Sequence, residues 1–322
     1  LNLKSQEFSI NLDLSLSTLQ KQLLTQFKSE HDLKSTLHEL GQIFKENRIT
    51  NLEASGREIN SSPKFKTKAS RLNDYSLNQK FVSAYVLLYL STNIHKFSFI
   101  IKSLSTEQRE FLLTSDFYDV GTGPGTYILG FLNFLSQSLN EKKSLANDSM
   151  TNVSQPEIYA IDSSMNMIEQ GQKLVNFYFP EMKENVHWGK IQDFQLVNKQ
   201  NSNRTLFLGH SFNEMTSKEL FSWIKLIRPK LIIILDIGTP EIFKNLLTIR
   251  KDLLSQGYQV LFPCPGPKVN CPLENQYQKE LKEQDEDQES DSPDWCHQKM
   301  YQSYPADLQR LLQMMKLNRN TM

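Results

Sequence analysis

The chain has 322 residues, 36 Lys and Arg against 36 Asp and Glu, and three cysteines. That length allows one large domain or two ordinary ones, and the charge balance excludes a globally basic nucleic-acid binder, so any surface for RNA has to be local. Three cysteines, all beyond residue 260, exclude a disulfide framework.

No apolar run reaches the length of a membrane-spanning helix. Residues 1–14 contain Glu7 and Asp13 and no arginine-rich pattern, so they read as neither a signal nor a transit peptide, and a soluble intracellular protein is expected. Residues 13–112 predict helices: Leu19, Leu23, Leu24 and Phe27, then Leu33, Leu37, Leu40 and Phe44, recur at steps of three and four. Residues 60–74 are polar and basic, with Phe65 among Lys64, Lys66, Lys68 and Arg71, which suits either contact with phosphates or a solvated loop. Apolar helices are expected at 81–90 and 95–104. This N-terminal helical domain, 1–112, is expected to pack as a cap or recognition module on a second domain, 113–262.

The second domain opens with a strand at 115–120, a glycine turn and a helix from residue 127 whose Ile128, Leu129, Phe131, Leu132, Phe134 and Leu135 fall at helical spacing. The turn reads Asp119-Val120-Gly121-Thr122-Gly123-Pro124-Gly125. Glycines at alternate positions let the backbone turn tightly and approach a ligand, and the head of the following helix presents amides and a positive dipole end. A second strand, 157–162, ends in Asp162, followed by Ser163 and Ser164 at the start of another helix. An acid at the tip of the second strand suits the ribose hydroxyls of a nucleoside; as a helix N-cap it would compete with Ser163 or Ser164. A third strand and its exit span 186–194 and offer Asp193, an adenine-side acid or a surface-loop one. A fourth spans 204–210. A fifth, 230–236, is apolar enough to read as a buried parallel strand; a helix follows at 242–254, and 259–262 begins a sixth strand. Strands alternating with helices give an α/β fold, a parallel sheet covered on both faces.

The composition then changes. Cys264 and Cys271 sit among prolines, Cys296 precedes His297, and between them residues 281–294 hold seven acids and one lysine. The acidic run reads as a solvated insertion. The cysteine-bearing segment, 263–322, suggests thiolate ligands: an iron–sulfur cluster, or zinc held by Cys264, Cys271, Cys296 and His297.

The pattern acidic-x-Gly-x-Gly-x-Gly, in place of Gly-x-Gly-x-x-Gly, resembles the first motif of class I S-adenosylmethionine-dependent methyltransferases. Their Rossmann-like loop wraps the methionine moiety while the acid supports its cationic end. The resemblance implies a cofactor site of Asp119, Gly121, Thr122, Gly123, Pro124, Gly125, Asp162, Ser163 and Asp193. Taken with Ser211-Phe212-Asn213-Glu214-Met215, Asp236-Ile237-Gly238-Thr239-Pro240 and the Cys-Pro, Cys-Pro and Trp-Cys-His run, the sequence resembles the methyltransferase-like proteins of the small ribosomal subunit, which are bacterial rRNA methyltransferases and mitochondrial assembly factors. The resemblance covers about residues 70–315. It implies bound S-adenosylmethionine, a [4Fe-4S] cluster on Cys264, Cys271 and Cys296, small-subunit rRNA or the subunit itself as partner, and a cytoplasmic location or, alternatively, the mitochondrial matrix. Three departures stand out: Pro-Gly-Pro after Cys264, the acidic insertion, and the absence before Met322 of the family's further strand and fourth cluster cysteine.

Methyl transfer depends heavily on orientation. The Asn/Asp-Pro-Pro-aromatic motif that holds an exocyclic amine is replaced after the fourth strand by Ser211-Phe212-Asn213-Glu214, and no cysteine nucleophile lies near the fourth or fifth strand. Glu214 or His210 would serve as a base or as an orienting group. The sequence supports either an active rRNA methyltransferase or a non-catalytic assembly factor that binds rRNA through the cofactor-bound fold.

Overall fold

A computed structural model describes residues 8–23, 27–54, 74–145, 155–194, 203–263, 271 and 304–314. The N-terminal part is helical, as the periodicity predicts: α1 (Leu16–Gln22), α2 (Glu30–Ala54), α3 (Asp74–Leu77), α4 (Gln79–Tyr85), α5 (Ser91–Asn93), α6 (His95–Ser103) and α7 (Thr106–Thr114). Between α4 and α5 the backbone widens into a π-helical turn, Val86–Leu90. Ser105 and Gln108 close a capping box at the head of α7, satisfying backbone groups that would otherwise face solvent unpaired.

The sheet begins with β1 (Asp116–Val120), followed by α8 (Thr126–Leu145), β2 (Ile158–Ile161), α9 (Met165–Tyr178), β3 (Val186–Gly189), β4 (Arg204–Gly209), α10 (Ser217–Ile227), β5 (Leu231–Leu235) and α11 (Pro240–Ser255); α12 (Ala306–Met314) comes last. The strands run in the order β3-β2-β1-β4-β5, all parallel. The chain therefore builds outward from β1 to β3, then returns to place β4 on the other side of β1. The reversal opens a crevice at the carboxyl ends of β1 and β4, where α/β sheets bind ligands.

Alternation along the strands divides the core. Phe117, Ile158, Ala160 and Phe207 face one layer, which buries Leu19, Leu37, Phe97 and Ile101 of the N-terminal helices together with Ile128 and Phe131 of α8 and Leu308 and Leu311 of α12. Phe117 and Phe131 stack across it with centroids 4.2 Å apart. Tyr118, Val120, Leu206 and Leu208 face the other layer, against Leu220 and Ile224 of α10 and Ile249 of α11. The N-terminal helices and the sheet thus share one continuous apolar cluster.

Two expectations are corrected here. Residues 259–262 hold a single bridge residue, Val260, and the described sheet has five strands. In consequence β5 is an edge of that sheet: Leu231 is buried while Ile232, Ile233, Ile234 and Leu235 are half-buried, despite a composition that reads as central. The basic stretch at 60–74 lies almost wholly outside the described residues.

Candidate functional site

The loop after β1 is fixed at both ends. The N–H groups of Gly121 and Thr122 both donate to Ile161 O, at 2.9 and 3.1 Å. Ser211, just after β4, donates its hydroxyl to Val120 O at 2.6 Å. Gly121 has φ +75°, and a Cβ there would overlap Ser211 Cβ and lie 3.0 Å from its Oγ. Only glycine lets the loops after β1 and β4 touch in this way. Gly125 packs under Trp188 of β3, whose Cη2 would lie 2.7 Å from an added Cβ. Buried Pro124 leans its backbone on Gly171 of α9, and Thr126 starts α8. Gly123 is different: around a Cβ at that position nothing stands within 4 Å. The middle of the loop faces open space.

Two acids flank that space. Asp119 is fully buried; the Thr122 hydroxyl donates to its Oδ2 at 2.8 Å, while Oδ1 is a buried acceptor with no hydrogen-bond partner among the described residues. Burial pushes its carboxyl up to about 7, a rise that the Thr122 bond opposes and the charge of Asp162 reinforces. Asp162 takes the Gly123 N–H on Oδ2 and the Ser164 N–H on Oδ1, both at 2.8 Å. Burial raises its carboxyl too, against backbone N–H bonds from Ser164, Gly123 and Ser163. The cap of α9 is Ser164, which accepts from Met167 N; the Ser163 side chain is exposed. Asp193 stands apart on the surface, where its Oδ2 accepts the Lys190 N–H at 2.6 Å and closes a 3-10 turn.

The structure adds groups that no local pattern announced. Ser164 Oγ donates to Ser76 O at 3.0 Å, and Asn166 Nδ2 to Ser76 O and Leu77 O at 3.1 and 2.8 Å, so α3 is tied beside the acids. Tyr75, on that helix, has its hydroxyl pKa raised by burial first and then by the charge of Glu214. Glu214 itself is solvent-accessible yet crowded by protein, as on the wall of a cleft, and burial, with Asp162 and Asp236 nearby, pushes it up to about 7. Asp236, with no side-chain exposure, holds the two loops together by accepting Asn213 N on Oδ2 and Ile237 N on Oδ1, at 2.8 and 2.7 Å. His210, at φ +60°, lies with its Nε2 2.9 Å from Lys96 Nζ and its Nδ1 3.8 Å from Asp236 Oδ1. A charged lysine only donates, so Nε2 accepts and the ring proton sits on Nδ1. That occupies the ring nitrogen a base would use and favours the orienting role for His210.

Of the expected metal ligands, Cys264 and Cys296, with His297, lie outside the described residues; Cys271 is half-buried and free. Among the described residues no group of three or more His, Cys, Asp or Glu is placed to hold a metal ion, and no helix is long and apolar enough to cross a membrane.

The family described as "Mitochondrial small ribosomal subunit Rsm22" matches residues 82–300, more than half of the chain. The chain belongs to this family. The Rsm22 match takes in the glycine loop, all five strands and the three cysteine positions, and the parallel sheet agrees with the methyltransferase-like fold of the family. No curated protein matches the chain. As an Rsm22 member it has a small-subunit-related, methyltransferase-like character.

The buried acids make stability depend on pH. Between the usual carboxylate range and about 7, the unfolded chain has already released the proton that folded Asp119 keeps. The unfolded state then binds fewer protons, so stability falls as pH rises through that window and levels off above it. Urea unfolding of Asp119→Asn beside the unsubstituted protein, from about pH 5 to about pH 8, is expected to show a shallower fall in the variant. Parallel pH curves for the two would contradict the burial of this carboxyl.

Proposed function

We propose that the protein binds S-adenosylmethionine in this cleft and acts on the small ribosomal subunit or its rRNA in mitochondria. The observation that carries the reading is the partnerless buried Oδ1 of Asp119 beside the open space over Gly123. A buried acceptor without a partner is costly and calls for a donor, and the acids around it suit a cationic one. When bound, the cofactor supplies an electrophilic methyl group on a sulfonium. The residues fit its parts: the loop 121–125 lets a ligand come against the backbone, Asp119 accepts from an ammonium, and Asp162 keeps lone pairs for ribose hydroxyls while holding Gly123. Asp193 is the acid nearest the exit of β3 and serves the adenine side.

Glu214 supports turnover, because a cleft carboxyl with a pKa of about 7 suits a proton acceptor. Against it, the turn 211–215 lacks an amine-binding Pro-Pro motif, and Asp236 pins its backbone, which supports a non-catalytic assembly factor equally well. Cys264, Cys271 and Cys296 belong to the proposal as ligands of a [4Fe-4S] cluster, or of zinc with His297. One preparation tests these readings: methyl incorporation into small-subunit rRNA, co-sedimentation with the subunit, and iron and zinc content. Methyl transfer that depends on Glu214 establishes the enzyme. Sedimentation with the subunit and no methyl mark removes it and leaves the assembly factor. Neither metal in anaerobically purified protein removes the cluster and the zinc site together.

A further inference from the structure

The acids of the cleft leave one end of the proposed ligand unserved. Asp119, Asp162, Glu214 and Asp236 suit an ammonium, a sulfonium and ribose hydroxyls, but an amino-acid ligand also carries an α-carboxylate, which these groups repel. A cation has to stand close to the loop. Lys96, in the first turn of α6, holds that position. Its Nζ meets His210 Nε2 at 2.9 Å, and His210 lies between Gly209, the last residue of β4, and Ser211, whose hydroxyl is bonded to Val120 O at the mouth of the glycine loop. The ring of Tyr127, two residues beyond Gly125, lies 6.2 Å from the ring of His210. A non-glycine residue in the left-handed region is uncommon and is kept where a side chain must be aimed; the φ of +60° at His210 aims the imidazole at the lysine.

We propose that Lys96, steered by His210, is the residue that binds the α-carboxylate of the cofactor's amino-acid end. The proposal rests on the S-adenosylmethionine reading above and adds to it a ligand contact supplied by an N-terminal helix. An ammonium carries three donors, enough for one group to serve a histidine and a carboxylate together. Asp119 and Lys96 then take the two charges of the same zwitterion from opposite signs. His210 is a positioning residue and acts through Lys96.

Calorimetry on the full chain tests this with two ligands, S-adenosylmethionine and its decarboxylated analogue, which keeps the sulfonium and the ammonium. The unsubstituted protein is expected to bind the first about 10- to 100-fold more tightly, the worth of a charged hydrogen bond. Lys96→Met keeps the apolar stem; it is expected to lose that margin for S-adenosylmethionine and to bind the decarboxylated analogue unchanged. His210→Gln, which retains an acceptor, is expected to lose less of the margin than Lys96→Met. If Lys96→Met weakens both ligands equally, Lys96 is only a tie between α6 and the sheet and the clamp is overturned, with the cofactor reading intact. If the unsubstituted protein binds neither ligand, the cofactor reading itself is overturned.

Discussion

Gly121→Ala is expected to destabilise the fold by about 3–5 kcal/mol, a large share of the total stability of an ordinary domain. Two effects combine. The backbone at φ +75° is left-handed, which disfavours any Cβ by about 1–2 kcal/mol. The new methyl also meets Ser211 Cβ, an atom fixed to the backbone and held by the 2.6 Å bond from its own hydroxyl to Val120 O. Neither side can swing away, so the loops after β1 and β4 have to part, at about 1–3 kcal/mol or more. Urea midpoints measure the loss, and Ser211→Gly in the same chain should return part of it, because it removes the overlap and leaves the torsional cost. A Gly121→Ala protein within about 1 kcal/mol of the unsubstituted one would mean that the two loops do not touch.

Gly123→Asp is expected to do the reverse: keep the fold and abolish ligand binding. Two residues away in the same loop, its Cβ meets nothing within 4 Å, and aspartate is among the residues that tolerate a left-handed backbone, here φ +53°. Stability should therefore change by no more than about 1 kcal/mol. The side chain, however, fills the space through which a ligand reaches the loop backbone. Affinity for S-adenosylmethionine is expected to fall on the order of 100-fold, equivalent to about 2.7 kcal/mol. Calorimetry and urea unfolding on one sample read both halves. A stable variant that binds as well as its parent would place the ligand elsewhere, whatever the loop resembles.

The contrast between these two glycines shows what the sequence could and could not disclose. Three glycines at alternate positions after an acid announce a tight loop, because turn chemistry is local. The five strands were legible for the same reason, as short apolar runs bounded by polar turns. Which glycine packs and which stays open depends on Ser211 and Trp188, 90 and 63 residues from their glycine partners. No periodicity reports such a distance. The Lys96–His210 pair, 114 residues apart, is equally silent in the sequence. Position misled in two places. Asp193 follows β3 as an adenine-side acid would, yet it closes its own turn at the surface. The composition of β5 matched a central strand because Ile232 and Ile234 on one face and Ile233 and Leu235 on the other each pack against a core, even at the edge of the described sheet.

The last described helix bears on how the molecule is made. Leu308, Leu311 and Leu312 of α12 are buried among side chains from the first hundred residues, and Asp307 takes the Leu16 N–H at 2.7 Å. During synthesis, the sheet and its early helices emerge with a bare greasy seam that stays exposed until some three hundred residues have been translated. A nascent chain in that state is a client for chaperones, and a stalled or prematurely terminated one would be swept to degradation with its nucleotide cleft already formed.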